Sequence, residues 1–127
     1  MRGGMGTIFF VDDHHAFRTV FAEILRLKGY TVFEAATPDD VHRLLERHSG
    51  SLDLLLIEAV LTTTNGVAVA RQLSSRYPAV GVLYISEERA SDLIVHRELP
   101  VDAPFLQKPF DAETLYGKVE EFLGCAL

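Results

Sequence analysis

Short runs of apolar residues alternate along the chain with longer stretches in which apolar residues recur at helical spacing. The runs predict five strands, over residues 7–11, 30–35, 52–57, 80–85 and 104–107. The stretches predict five helices, over residues 14–28, 38–50, 67–77 and 88–98 and from Asp111 onward. Strands and helices that alternate in this way predict an α/β fold with a parallel sheet covered by helices on both faces.

The residue pattern within the elements supports this prediction. The first helix has its apolar residues at i, i+3, i+4, i+7 and i+8, namely Phe17, Val20, Phe21, Ile24 and Leu25. Most of the strands are continuous apolar runs rather than alternating ones, with charged residues at Glu34 in the second and Asp53 near the start of the third. Continuous apolar runs are typical of strands that are buried on both faces.

Ionisable or hydroxyl side chains follow four of the five predicted strands. They are Asp12 and Asp13 after the first strand, Glu58 after the third, Ser86 after the fourth and Lys108 after the fifth. The second strand ends in two alanines and offers no such group. Because ligands of open α/β sheets bind at the carboxyl ends of the strands, we expect these side chains to share one site.

Three carboxylates in one pocket repel each other unless a cation joins them. The sequence leaves two candidates open. Mg²⁺ binds oxygen ligands and needs only one or two carboxylates together with water. Lys108 is a fixed ammonium that can reach the same pocket, and a Lys beside a metal and a Ser is also suited to holding a phosphoryl group.

Composition and charge exclude several classes of protein. The chain has 127 residues, of which 48% are hydrophobic and 24% charged, and this balance is that of one folded globular domain. Its net charge of −6 disfavours nucleic acid as a partner. No apolar run is long enough to predict a signal peptide or membrane insertion, and the single cysteine, Cys125, forms no internal disulfide. A cytoplasmic location is the expectation.

Four segments together resemble the receiver domain of two-component response regulators: "IFFVDDHHAFR", "LDLLLIEAVLTTTNG", "VLYIS" and "FLQKPF". The resemblance covers residues 7–124 and is strongest to receivers attached to hybrid sensor histidine kinases. It implies a flavodoxin-like (βα)5 three-layer sandwich whose strand order is 2-1-3-4-5. Residues 1–6 are predicted to be a flexible lead and residues 125–127 a tail.

The resemblance also implies roles for individual residues. Asp13 would bind Mg²⁺ directly, with Asp12 acting mainly through water and the carbonyl of Val60 supplying another oxygen. Ser86 corresponds to the switch hydroxyl and Lys108 to the lysine that contacts phosphate. Phe105 corresponds to the switch aromatic residue, and we expect its ring to point inward. A cis bond between Lys108 and Pro109 is expected as well.

The sequence departs from the family at the position that accepts phosphate. In "DLLLIEAVL" this position is Glu58 instead of Asp. A Glu carboxylate lies one methylene farther out, about 1.5 Å, and a misplacement of about 1 Å can cost on the order of 10²-fold in phosphoryl transfer. We therefore expect Glu58 to pair with Lys108 rather than act as an acceptor, or to mimic the phosphorylated state in part. Any Mg²⁺ bound by Asp12, Asp13, Glu58 and Val60 would be held weakly or lost.

Other candidate groups carry less weight. Adjacent histidines at a helix start point in different directions, so we do not expect His14 and His15 to bind a metal. The hydroxyls of residues 62–64 are expected to belong to an ordinary loop.

The favoured function is a degenerate receiver, not an enzyme, that acts by protein–protein interaction with a histidine kinase or a downstream signalling protein. The resemblance places the contact on the fourth helix, fifth strand and fifth helix, and it allows a homodimer. The alternative is a working receiver that uses Mg²⁺ to take phosphate on Glu58 or a neighbouring hydroxyl. A small flavin-binding electron carrier would need a Ser/Thr/Gly-rich phosphate loop after the first strand, where this chain has acids.

Overall fold

The computed structural model of the protein describes residues 5–124 and contains one sheet of five parallel strands. The strands are β1 (Thr7–Val11), β2 (Thr31–Ala35), β3 (Leu54–Glu58), β4 (Gly81–Ser86) and β5 (Phe105–Gln107). Their order in the sheet is β2-β1-β3-β4-β5, with every neighbouring pair parallel. The predicted fold class and strand order are confirmed.

Five α-helices connect and cover the strands. They are α1 (His15–Leu27), α2 (Pro38–His48), α3 (Gly66–Arg76), α4 (Ala90–Arg97) and α5 (Ala112–Leu123). A single 3-10 turn, Ser49–Ser51, follows α2. Strands and helices therefore alternate along the chain as the apolar pattern predicts.

The sheet has a separate hydrophobic core on each face. On one face, α2, α3 and α4 bury side chains such as Val41, Leu73 and Leu93. On the other face, α1 and α5 bury side chains such as Leu25 and Val119. All five residues of β1 and all five of β3 are buried, as expected for central strands with continuous apolar sequences.

Side-chain caps define where three of the helices begin. Thr37 accepts a hydrogen bond from the amide of Asp40 and forms a capping box with it at the start of α2. The Asn65 side chain accepts a hydrogen bond from the amide of Val67 at the start of α3, and Asp111 accepts one from the amide of Thr114 at the start of α5. These caps fix the helix starts that follow β2, β3 and β5, next to the loops at the carboxyl edge of the sheet.

Most elements differ from their predicted bounds by one or two residues, and some differences have a structural reason. β3 begins at Leu54 instead of residue 52, and the Asp53 carboxylate just before it accepts a hydrogen bond from the amide of Thr7. Val20 is 56% exposed, although the helical pattern assigns it to the buried face of α1. At the end of the predicted lead over 1–6, the amide of Met5 donates to the carbonyl of Gly29, and the carbonyl of Gly6 accepts from the amide of Thr31.

Residues 1–4 and 125–127, the second group including Cys125, lie outside the described residues. Between residues 5 and 124, no helix has the length and apolar character needed to cross a membrane.

Candidate functional site

The carboxyl ends of four strands meet at one edge of the sheet and bring the predicted site residues to it. Asp12 follows β1, Glu58 is the last residue of β3, Ser86 is the last residue of β4 and Lys108 follows β5. All four are buried, with exposed fractions between 0% and 8%. A buried group of two acids, a hydroxyl and an amine is unusual in a small domain and marks this edge as the candidate site.

Lys108 is the centre of the site. Its Nζ lies 2.8 Å from Oδ2 of Asp12 and 2.8 Å from Oε1 of Glu58. It also lies 4.2 Å from the centre of the Phe17 ring, over its face. Burial alone would lower the pKa of Lys108, but the hydrogen bonds and charges of Asp12 and Glu58 outweigh it and raise that pKa above its usual 10.5. Lys108 therefore stays charged and joins the two acids.

Both carboxylate oxygens of Glu58 have partners. While Oε1 pairs with Lys108, Oε2 accepts a hydrogen bond of 3.0 Å from the amide of Val60. The side chain is 3% exposed. Of the roles considered for Glu58, which are an ion pair with Lys108, a phosphate acceptor and a partial mimic of phosphate, the structure shows the ion pair.

Two residues that were not predicted to belong to the site hold Asp12, namely His14 in the loop before α1 and Arg18 in α1 itself. Oδ1 of Asp12 accepts a hydrogen bond of 2.9 Å from the amide of His14 and lies 3.1 Å from its Nδ1. Arg18 donates to the backbone carbonyl of Asp12 at 2.6 Å and pairs with Glu34 at 3.0 Å. Arg18 is buried, and arginine is seldom buried unless it is paired, but the sequence alone does not show this burial.

Asp13 lies apart from the Lys108 cluster. Its Oδ2 accepts a hydrogen bond of 2.5 Å from the amide of Thr62 and another from the Thr62 hydroxyl. Partial burial opposes ionisation of Asp13, but these hydrogen bonds and the nearby His14 lower its pKa below the usual 3.8. Thr62 is thus a partner of the acid pair, whereas the sequence analysis expected the hydroxyls of residues 62–64 to belong to an ordinary loop.

The side chains of Asp12, His14 and Glu58 come close enough to share an ion, with possible ligand atoms within 4.8 Å of one another. Carboxylates are suitable Mg²⁺ ligands by their chemistry. In this arrangement, however, both oxygens of Asp12, both of Glu58 and one of Asp13 accept hydrogen bonds or ion pairs from protein groups. The ammonium of Lys108 offsets one of the two buried negative charges, and a divalent ion would have to displace protein donors from these oxygens.

The remaining predicted residues lie beside this cluster. The Ser86 hydroxyl accepts a hydrogen bond of 3.2 Å from the amide of Glu88, and the Ser86 carbonyl accepts one from the amide of Lys108. Phe105 is partly buried and packs against the core on the α2–α4 face. The bond between Lys108 and Pro109 is cis, as expected.

Comparison with known proteins identifies the class to which this fold and site belong. A family model described as response regulator receiver domain matches residues 8–120. The chain therefore belongs to the receiver domain family. Receiver domains are signalling modules of two-component phosphorelays that interact with histidine kinases and downstream effectors; in general they are not enzymes, and they typically bind Mg²⁺ through acidic residues.

Individual relatives agree with the family. The chain is 32% identical over 122 residues to the sensor kinase CckA of Brucella abortus, covering 94% of this chain but 13% of that protein. It is 25% identical to the transcriptional regulatory protein CpxR of Escherichia coli, covering 94% of this chain and 50% of CpxR. The crystal structure of the receiver domain of the hybrid histidine kinase CckA has a TM-score of 0.77 and 30% identity, covering 93% of this chain and 99% of that one. The chain thus spans half or less of the length of these two full-length relatives.

Proposed function

We propose that this chain is a degenerate receiver that is not phosphorylated at Glu58 and acts through protein–protein interaction in a conformation fixed by Lys108. One observation carries the proposal: a single buried ammonium lies 2.8 Å from both Asp12 and Glu58. In this arrangement the positive charge that would meet an incoming phosphoryl group is already neutralised by Glu58. Its partners would therefore bind the chain without prior phosphorylation.

The environment of Glu58 supports this reading. Phosphoryl transfer depends on positioning an attacking oxygen in line with the phosphorus atom. Glu58 is 2% exposed, and its two oxygens bind Lys108 and the Val60 amide. Attack on a phosphodonor would have to break one of these interactions inside a buried site, where an unpaired charge is costly.

The proposal includes weak or absent Mg²⁺ binding. A divalent ion would have to displace Lys108 from Asp12 and Glu58 or Thr62 from Asp13. Mg²⁺ holds its hydration shell tightly, so carboxylate oxygens that already accept hydrogen bonds from protein groups are poor ligands for it.

A histidine kinase or a downstream signalling protein would bind on α4, β5 and α5, the face that the family resemblance suggests. Val95 in α4 is 73% exposed and Val101, just before β5, is 83% exposed. Both residues lie in or next to segments of the proposed contact face and leave aliphatic surface there for a partner to cover. We also propose that the receiver domain spans residues 7–124 and that the protein is cytoplasmic.

A working receiver remains the second candidate function. It is favoured by the presence of Asp12, Asp13, Ser86 and Lys108 at the strand ends. In that case Mg²⁺ would support phosphorylation of Glu58 or of a hydroxyl such as that of Thr62.

The two candidates differ in how the domain responds to a phosphodonor. We would record amide NMR spectra of the chain and of Glu58→Asp before and after adding Mg²⁺ and a small-molecule phosphodonor. A fixed conformation predicts that the amides of Ser86, Phe105 and α4 stay unchanged in the wild-type chain. The shorter carboxylate of Glu58→Asp should allow these amides to shift. Equal shifts in both proteins would contradict the proposal and favour the working receiver.

A further inference from the structure

A groove of about 590 Å³ separates α2 from α3 on the surface of the domain. Its floor is apolar and reaches the core, through Val41 and Leu45 of α2 and Val69 and Leu73 of α3. The groove is not part of the Lys108 site, and it lies on helices other than α4 and α5. Neither the site nor the proposed partner face therefore accounts for it.

The rim of the groove is positively charged. Arg71 and Arg76 of α3 and His42 of α2 line it, and its lining includes no Asp or Glu. Neither guanidinium forms an ion pair with a carboxylate anywhere in residues 5–124. Arg71 donates instead to the carbonyl of Glu98 at 3.2 Å, and Arg76 lies over the ring of Tyr77. Glu46 lines an adjoining hollow beside Arg76 without pairing with it.

This positive rim is unusual for a chain whose net charge is −6. Most other cations of the described region are paired with acids, as Arg18 and Arg26 are with Glu34 and Arg43 is with Asp40. Two unpaired arginines beside an apolar floor are complementary to a ligand that has an apolar side and carboxylates next to it.

We propose that the groove between α2 and α3 is a docking site for an acidic amphipathic helix of a protein partner. The apolar face of that helix would lie on Val41, Leu45, Val69 and Leu73, and its carboxylates would pair with Arg71 and Arg76. A helix is the occupant because a groove between two surface helices accepts the ridge of a third, with anchors at i, i+3, i+4 and i+7. The proposal does not depend on whether Glu58 accepts phosphate.

The test uses a synthetic helical peptide of about 18 residues, with leucines at i, i+3, i+4 and i+7 and glutamates beside them. A second peptide has lysines in place of the glutamates. Amide NMR shifts are recorded as each peptide is titrated into the whole chain. The proposal predicts saturable shifts in α2 and α3 with the acidic peptide and none with the basic one.

Variants in which pairs of arginines are replaced by glutamates test the role of Arg71 and Arg76. The double variant R71E/R76E should weaken binding of the acidic peptide at least about tenfold and should bind the basic peptide. The control R43E/R47E changes the net charge equally on α2 outside the groove, and it should bind the acidic peptide as the unaltered chain does. Because all four side chains are exposed, the variants should fold, and circular dichroism checks this.

Three results would overturn the proposal. One is the absence of saturable shifts with the acidic peptide, and another is a response confined to residues outside α2 and α3. The third is equal weakening by both double variants, which would indicate attraction by net charge alone. Shifts in α2 and α3 that grow with protein concentration in the absence of peptide would assign the groove to a second copy of the chain instead.

Discussion

At the scale of single residues, Lys108 holds together the two buried acids of the site. It is a buried cation between two buried carboxylates, and its Nζ is equally far from Asp12 and Glu58. Removing one member of a buried ion pair is costly because the remaining charge is left without a partner. Here the loss of one ammonium would leave two like charges facing each other.

We predict that Lys108→Met lowers the free energy of unfolding at pH 7 by about 3–5 kcal/mol, measured by urea denaturation. Lys118→Met is the matched control, because Lys118 is partly exposed and its pairing with Glu121 at 3.6 Å lies on the surface of α5. The control should change stability by less than about 1 kcal/mol. Equal effects of the two substitutions would show that the ammonium of Lys108 does not hold the two acids.

The raised pKa of Lys108 adds a pH dependence to this comparison. Because the folded-state pKa lies above the usual 10.5, the ammonium contributes its full stabilisation below that pH. The contribution is lost as the pH rises through the folded-state pKa. The stability difference between the wild-type chain and Lys108→Met should therefore shrink at strongly alkaline pH.

Asp13 gives the opposite pH dependence. Hydrogen bonds from Thr62 hold its pKa below 3.8, so its stabilisation is complete above that pH and is lost as the pH falls through the folded-state pKa. We predict that Asp13→Asn costs about 1 kcal/mol at pH 7 and nothing measurable at strongly acid pH. Asp102→Asn, at an exposed position, should change stability by less than about 0.5 kcal/mol at either pH. A deficit in Asp13→Asn that is constant with pH would contradict the role given to Thr62.

At the scale of elements, the junction between β3 and α3 determines where Glu58 lies. The amide of Gly66, the first residue of α3, donates to the carbonyl of Ala59 at 2.8 Å. A β-carbon on Gly66 would lie 2.0 Å from the backbone oxygen of Glu58. The helix therefore starts against the backbone of the acidic residue, and only glycine allows that approach.

We predict that Gly66→Ala destabilises the domain by about 1–3 kcal/mol, because backbone atoms must move to admit the methyl group. Gly117→Ala in α5 is the matched control, since a β-carbon there meets nothing within 4 Å. That substitution should stabilise the domain by about 0.5–1 kcal/mol. Denaturant unfolding measures both values. A neutral Gly66→Ala would show that the junction can relax away from Glu58.

The sequence pattern predicted the elements well because the central strands are buried on both faces. Continuous apolar runs such as those of β1 and β3 leave few alternatives, and polar residues end them at the site. The pattern failed for Val20, whose position on the helical stripe does not reveal that it is exposed. Helical spacing gives the direction of a side chain but not whether a neighbouring element covers it.

At the scale of the whole molecule, the strand ends predicted which side chains meet but not how they pair. Asp12, Glu58, Ser86 and Lys108 converge as the parallel topology requires. The pairing of Asp13 with Thr62 joins loops 49 residues apart in sequence and depends on their local conformation. No spacing rule specifies such a contact, and the same holds for the bond from Arg18 to the carbonyl of Asp12.

The whole domain combines a receiver fold with a site in which Glu58 and Lys108 already neutralise each other. The central claim is that Glu58 prevents phosphorylation while the rest of the pocket is intact. Glu58→Asp is the direct test of that claim, because it shortens one side chain and leaves Asp12, Asp13, Ser86 and Lys108 in place.

The decisive measurement is the intact mass of the chain and of Glu58→Asp after incubation with Mg²⁺ and a small-molecule phosphodonor. We predict that the wild-type chain gains no mass and that the variant gains one phosphoryl group. If neither protein gains mass, the pocket is altered beyond Glu58 and the claim that it is otherwise intact is wrong. A phosphorylated wild-type chain would contradict the account directly.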